Sequence, residues 1–275
     1  GTMILKRKIY KKLLEWKKEC QGKKALLIEG ARRIGKSTIC EEFGKSEYKS
    51  FLLIDFAKKD KEVEGYFEKY LNDLDTFFML LQTHFGTKLT ERNSLIIFDE
   101  VQMFPQARAA IKYLVADGRY DYIETGSLIS IRENVKNIVI PSEERHINMY
   151  PLDFEEFAIA LEEDLLVEYI KKCFEKREPL ERSMHNQAML LFHQYMLVGG
   201  MPMPVVTFIE SKKDFTEADR EKRDILKLYR EDIMKIDAKY RSKVLAIYDQ
   251  IPGFLSQHEK RVVFKKLQDG KSEAK

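Results

Sequence analysis

The sequence predicts an α/β fold, with a parallel β-sheet sandwiched by helices and then a smaller, mostly α-helical region. Three observations predict it. Short apolar runs, each about one strand long, alternate with stretches of helical periodicity over roughly the first 155 residues. These runs are apolar at successive positions rather than every second one, as strands buried on both faces require. Beyond that point the strand signal stops and helical periodicity continues.

Each element has its own signal. Residues 4–20 place Ile4, Leu5, Ile9, Leu13, Leu14 and Trp16 among lysines. That spacing predicts an amphipathic helix packed on its own domain, its basic face in water rather than on a membrane or nucleic acid. "KALLIEG" predicts a first strand ending at Gly30, and Lys36 to Phe43 a helix with Gly44 as its stop. "YKSFLLIDFA" (48–57) predicts a second strand. Residues 62–85 keep Val63, Tyr66, Phe67, Tyr70, Leu71, Leu74, Phe77, Phe78 and Leu81 in helical phase and predict one helix. "SLIIFDEVQ" (94–102) is a third strand with acids at its end, "ARAAIKYLVADGR" a helix and "YDYIETGS" a fourth strand. "NIVIP" and "HINMYP" add shorter extended pieces.

"FEEFAIALEEDLLVEYIKKCFEK" opens the helical region. In "LVGGMPMPVVTFIE", Gly199-Gly200 with Pro202 and Pro204 predicts a helix stop and a stiff joint between helices. Residues 220–243 predict a charged helix with Ile225, Leu228, Tyr229 and Ile233 as its apolar stripe.

Composition excludes several classes. Lys plus Arg number 48 against 45 Asp plus Glu, so no global basic charge argues for nucleic acid. The basic stretch "HEKRVVFKKL" is the best local hint of DNA, through the C-terminal region. Cys20, Cys40 and Cys173 form no CxxC pair, which argues against zinc or a disulfide framework and for a reducing, cytoplasmic setting. His193, inside an apolar run, reads as a core or interface histidine rather than a ligand. No apolar run reaches the roughly 18 residues a membrane span needs.

The chemistry gathers at the carboxyl ends of the predicted strands, where open α/β sheets bind ligands. Gly30, Ala31, Arg32, Arg33, Ile34, Gly35, Lys36, Ser37 and Thr38 contain the full GxxxxGK[ST] pattern, between a strand and a helix. Such a loop wraps phosphate oxygens with backbone N–H groups and aims a helix N-terminus at them. Lys36 would reach the β- and γ-phosphates of ATP, and Ser37 would hold Mg²⁺. "LIIFDE" puts Asp99 and Glu100 at a strand tip about 60 residues later. Asp99 would hold the same magnesium and Glu100 would orient an attacking water. "YIETGS" supplies Thr125 and Ser127 as candidate sensors of the γ-phosphate. Arg32, Arg33, Arg119, Arg132 and Arg145 are candidates for the extra positive charge that hydrolysis needs.

The order of "GARRIGKST", "IIFDEVQ", "YDYIETGSLISI", "IPSEERHINMYPLDFEEF" and "LVGGMPMPV" resembles a group of bacterial and archaeal AAA-type P-loop ATPases that carry a C-terminal domain of unknown function. "MYPLDFEEF" and "GGMP" are its specific elements. The resemblance implies an AAA-type core with its N-terminal helix over residues 1–155 and a helical lid over 156–235. It further implies a winged-helix-like segment begun at 236–275 and cut short at Lys275. It also implies Mg-dependent ATP hydrolysis that drives a conformational change in a C-terminal effector region.

Two other readings stay open: a slow nucleotide switch with little turnover, and a DNA-binding regulator whose winged helix the ATPase core positions. A small-molecule kinase fits least, since no acceptor-substrate motif is visible. ATP and ADP are the expected ligands. A homo-oligomer is left open, and no membrane partner is expected.

Overall fold

The structure is a computed structural model that describes residues 3–127, 142–236 and 238–255. "NIVIP", Arg132 and the basic stretch beyond 255 lie outside the described residues. The chain forms two compact units, Gly1–Lys222 and Arg223–Lys275.

The first unit opens with α1 (Ile9–Cys20), β1 (Ala25–Glu29), α2 (Lys36–Glu47) and β2 (Ser50–Asp55). Then come α3 (Lys61–Lys69), α4 (Leu74–Phe85), β3 (Ser94–Asp99), α5 (Pro105–Asp117), β4 (Asp121–Gly126) and β5 (Glu144–Asn148). The five strands are parallel, in the order β2-β3-β4-β1-β5. β4 therefore lies between β1 and β3, with Thr125 opposite Ile28 and Phe98 opposite Glu124.

Side chains alternate across the sheet, so each strand feeds two cores. Leu27, Ile54, Phe98 and Tyr122 point to the side covered by α3, α4 and α5. Leu26, Ile28, Ile97 and Ile123 point to the side covered by α1 and α2, with Trp16 and Phe43. The basic N-terminal helix is thus docked on its own domain: Ile9, Leu13, Trp16 and Cys20 are buried, and the indole N–H of Trp16 donates to Lys24 O at 2.9 Å.

Several boundaries differ from the sequence reading, each for a local reason. The helix expected over 62–85 is two helices. Asp73 accepts from the Thr76 N–H and starts a new helix, while Val63, Phe67, Phe77, Phe78 and Leu81 all reach one core and keep the apolar phase across the break. Gly44 does not end α2, which runs on to Glu47. It is a close-approach glycine instead, since a Cβ there would lie 2.7 Å from Phe51 Cγ on β2. "DEVQ" leaves the strand after Asp99 and forms a short 3₁₀ turn at Val101–Met103.

The helical part of this unit begins with α6 (Phe154–Ala160), α7 (Asp164–Lys176), α8 (Arg182–Val198) and α9 (Pro202–Glu210). Leu152, Phe157, Val198, Val205 and Phe208 form its core, with Leu5 packed against it. α6 starts with a capping box between Asp153 and Glu156. Pro202 and Pro204 do not stop a helix. α8 ends at Gly199, at φ 80°, and Pro202 opens α9, where a missing N–H costs nothing. His193 is exposed on α8 rather than buried in a core.

α10 (Phe215–Ile233) and α11 (Ala238–Leu255) replace the single charged helix expected over 220–243. Within the second unit, the Tyr248 hydroxyl donates to Leu226 O at 3.1 Å. No helix among the described residues is long and apolar enough to cross a membrane.

Candidate functional site

β1 delivers the chain to Gly30 at the carboxyl edge of the sheet. A Cβ at Gly30 would lie 2.5 Å from Ile34 Cδ1 and 2.5 Å from Met149 O, so only glycine fits this turn. The loop then curls through two left-handed positions, Arg33 at φ 68° and Gly35 at φ 97°, before α2 begins at Lys36. A non-glycine residue in that region costs about 1–2 kcal/mol, so Arg33 holds the loop at some strain. The result is a turn whose following helix points its positive end into the loop.

Lys36 is 5 % exposed. Its Nζ donates to Gly30 O at 2.8 Å and Ala31 O at 2.7 Å, so the side chain folds back across the loop. Burial pulls its ammonium below the usual lysine range, and Glu100 and Asp99 partly offset this.

Asp99 ends β3. Its Oδ1 accepts from Ser37 Oγ at 2.7 Å and Thr125 Oγ1 at 2.6 Å, while Thr125 Oγ1 accepts from the Glu100 N–H at 3.0 Å. Burial raises the Asp99 carboxyl above the usual range, against the pull of those two hydroxyls. Glu100 sits in the left-handed region at φ 54°. Its Oε2 accepts from the amide of Gln102 and, at 3.4 Å, from Ser127 Oγ.

Ser37, Lys36, Asp99, Glu100, Thr125 and Ser127 thus come from three adjacent strand ends and are brought together. The hydroxyl of Ser37 and the carboxylate of Asp99 are hard oxygen donors in contact. Beside a buried lysine and a glycine loop, they suit a Mg²⁺–phosphate pair better than a softer metal.

Residues 22–158 match the family described as AAA domain. The matched stretch is just under half of the chain, and over it the sequence is similar to an AAA domain. Its match covers β1 to β5, all the motif residues above and the start of α6. The glycine loop, Gly30–Ser37, lies inside the matched stretch. None of the curated proteins compared matches the chain. Solved structures that superpose on it distantly include domain III of the Thermotoga maritima replication initiation protein DnaA. There the identity is 15 % and the TM-score 0.41, over 84 % of this chain and 87 % of that one. AMPPCP-bound DnaA from Aquifex aeolicus gives 13 % and 0.41, over 97 % and 85 %. The Aeropyrum pernix ORC1 protein in complex with DNA gives 9 % and 0.38, over 98 % and 83 %.

The strand-end site does not gather every candidate arginine. Arg119 precedes β4, whose far end carries Thr125, and it pairs with Asp117 and Asp75 while lying over the Phe78 ring. Arg145 pairs with Glu19 of α1 at 2.7 Å, near the start of β5. Both sit toward the opposite edge of the sheet from the glycine loop, because parallel strands put all carboxyl ends on one side. Arg32 and Arg33 stay in the loop itself.

Two groups of site residues escape sequence reasoning. Gln102, 2 % exposed, lies within a motif quoted for its resemblance, yet nothing in the sequence marks it as the partner of Glu100. Arg7 sits among lysines and reaches Ile34 and Glu156, 27 and 149 residues away. No local signal finds such a contact.

Proposed function

We propose that the protein is a Mg-dependent ATPase of the AAA type, which hydrolyses ATP to ADP and phosphate to drive a conformational change in a C-terminal effector region. The observation that carries this reading is the shared Asp99 Oδ1, which ties Ser37 of the loop to Thr125 of the central strand. Mg-ATP supplies the phosphoanhydride and the cation that screens its charge. Lys36 gives a buried positive charge to the terminal phosphates, and the N–H groups of residues 30–38 wrap their oxygens. Ser37 and Asp99 hold the cation. Glu100 orients the attacking water, and Thr125 and Ser127 sense the γ-phosphate.

The resemblance to the AAA-type group with a C-terminal domain of unknown function supports a lid over 156–235 and a winged-helix-like segment begun at 236–275. Three buried free thiols are in keeping with a reducing cytoplasm. A homo-oligomer would be one way to present an arginine in trans.

A specific observation favours a second reading, a slow nucleotide switch. Gln102 and Ser127 already hold the Glu100 carboxylate, and a restrained carboxylate orients water poorly.

The test is steady-state phosphate release from Mg-ATP, with direct ATP binding measured beside it. Lys36→Ala is expected to abolish or severely weaken binding, and Glu100→Gln to keep binding and lose turnover. Normal hydrolysis by Glu100→Gln would remove Glu100 from its role. Tight binding without turnover in the wild type would select the switch.

A further inference from the structure

Three separate parts of the first unit close around Gly35 of the glycine loop. A Cβ built there would find Arg7 Nη1 at 3.4 Å, Pro202 Cγ at 3.6 Å and Met149 Cε at 3.7 Å. The N-terminal segment, the glycine loop, the end of the sheet and the start of α9 therefore share one point. Arg7 does most of the joining. Its Nη1 donates to Ile34 O at 2.8 Å, its Nη2 to Tyr150 O, and its Nε to Glu156 Oε2 at 2.9 Å.

The bond to Ile34 O has a consequence on the other side of the same peptide. A trans peptide is planar, and its C=O and N–H point in opposite directions. No described peptide bond is cis. Fixing Ile34 O therefore fixes the Gly35 N–H, aimed away from Arg7, and a guanidinium on the oxygen makes that N–H a stronger donor. The Gly35 N–H is one of the loop amides that phosphate oxygens would take.

Arg7 cannot hold this place alone. Its side chain is 6 % exposed and that of Glu156 9 % exposed, so each charge is out of water and needs the other. Glu156 belongs to the first turn of α6, and its two oxygens also accept from the backbone N–H groups of Lys8 and Asp153.

We propose that Arg7 is a positioning residue for phosphate binding, locking the Ile34–Gly35 peptide, and that Glu156 holds it there, so that the loop's grip on phosphate depends on where α6 sits. This deepens the nucleotide-binding reading above and rests on it.

The experiment is a double-mutant cycle on the full chain: wild type, Arg7→Gln, Glu156→Gln and the double variant, with Lys36→Ala as control. ATP and AMP affinities are read by competition against a fluorescent ATP analogue. Thermal midpoints without nucleotide report folding. Arg7→Gln is expected to weaken ATP about tenfold, a coupling of ordinary size, and AMP much less, because AMP lacks the phosphates that the inner loop amides hold. Glu156→Gln keeps the cap on α6 but turns a donor toward Arg7, and should weaken ATP in the same way. The double variant should be no worse than the weaker single one.

Unchanged ATP affinity in a folded Arg7→Gln protein overturns the proposal. So does an equal loss for ATP and AMP, which a general loosening of the fold would give, and so do effects that multiply. Should Arg7→Gln not fold, Arg7→Lys keeps the charge but not the three-way fork, and wild-type ATP affinity in it overturns the proposal. A wild type that binds ATP no better than Lys36→Ala fails at an earlier point. It removes the nucleotide-binding reading, and Arg7's role with it.

Discussion

Thr125 donates its hydroxyl to Asp99 Oδ1 at 2.6 Å while accepting the Glu100 N–H at 3.0 Å, so one side chain sets both acids at the end of β3. It can do so because β4 lies between β1 and β3. Thr125→Val keeps the shape and removes the hydroxyl. The Asp99 carboxylate then loses a donor and the Glu100 N–H an acceptor, each buried group costing about 1–3 kcal/mol if left unpaired. Turnover should fall at least about tenfold, as for other lost transition-state contacts, with a smaller change in ATP affinity. Phosphate release and ATP binding measured on one preparation check this, and equal turnover would take Thr125 out of the site.

Gln102 offers the opposite kind of test. Its amide holds Glu100, and its own Oε1 is buried without a hydrogen-bond partner. Gln102→Leu removes both the restraint and the unpaired oxygen. If the restraint limits the rate, phosphate release per molecule should rise several-fold, an effect of about 1 kcal/mol on the barrier. A fall would mean that Gln102 helps to aim Glu100.

Glu124 is a stability prediction. It is fully buried on β4, with its carboxyl against that of Glu144. Nearby, Glu144 is paired with Arg108 through two bonds of 2.9 and 3.1 Å, and His146 lies 3.0 Å from Glu144. Burial, then a hydrogen bond to Glu144 and the charge of that residue, drives the Glu124 carboxyl well above the usual range. The folded protein then keeps a proton that the unfolded chain releases above about pH 4.3. Glu124 therefore favours folding most below that pH, and its contribution declines as pH rises toward its folded-state pKa.

Glu144 has the opposite sign. Burial opposes its charge, but the Glu124 carboxyl and the Arg108 guanidinium outweigh burial and hold it below the usual range. Its stabilisation is present above the unfolded pKa and lost as pH falls through the folded one. Glu124→Gln cannot ionise, so it should raise the thermal midpoint more at pH 8 than at pH 5. Equal shifts at both pH values would contradict the assignment.

Gly44→Ala sets two effects of different size against each other. Alanine inside a helix gains roughly 0.5–1 kcal/mol over glycine. The new methyl would meet the Phe51 ring at 2.7 Å, and overpacking of this kind costs about 1–3 kcal/mol. The clash should win, and the thermal midpoint should drop by a few degrees. A rise would show that β2 can step back from α2.

The sequence by itself determined the parallel sheet, because uninterrupted apolar runs such as "LIIF" must be buried on both faces. It also determined the glycine loop and the order Lys36, Ser37, Asp99, Thr125, since each rests on neighbouring residues and on the strand end beside it. Tertiary structure decided what depends on partners far away in the chain. The break between α3 and α4 is hidden by a shared core, and the reason for Gly44 is the ring of Phe51. The Arg7 fork and the buried Glu124, Glu144 and Arg108 cluster depend on which strands and helices come together. Local periodicity records which face of an element is buried; only the assembled sheet and helices determine what that face meets.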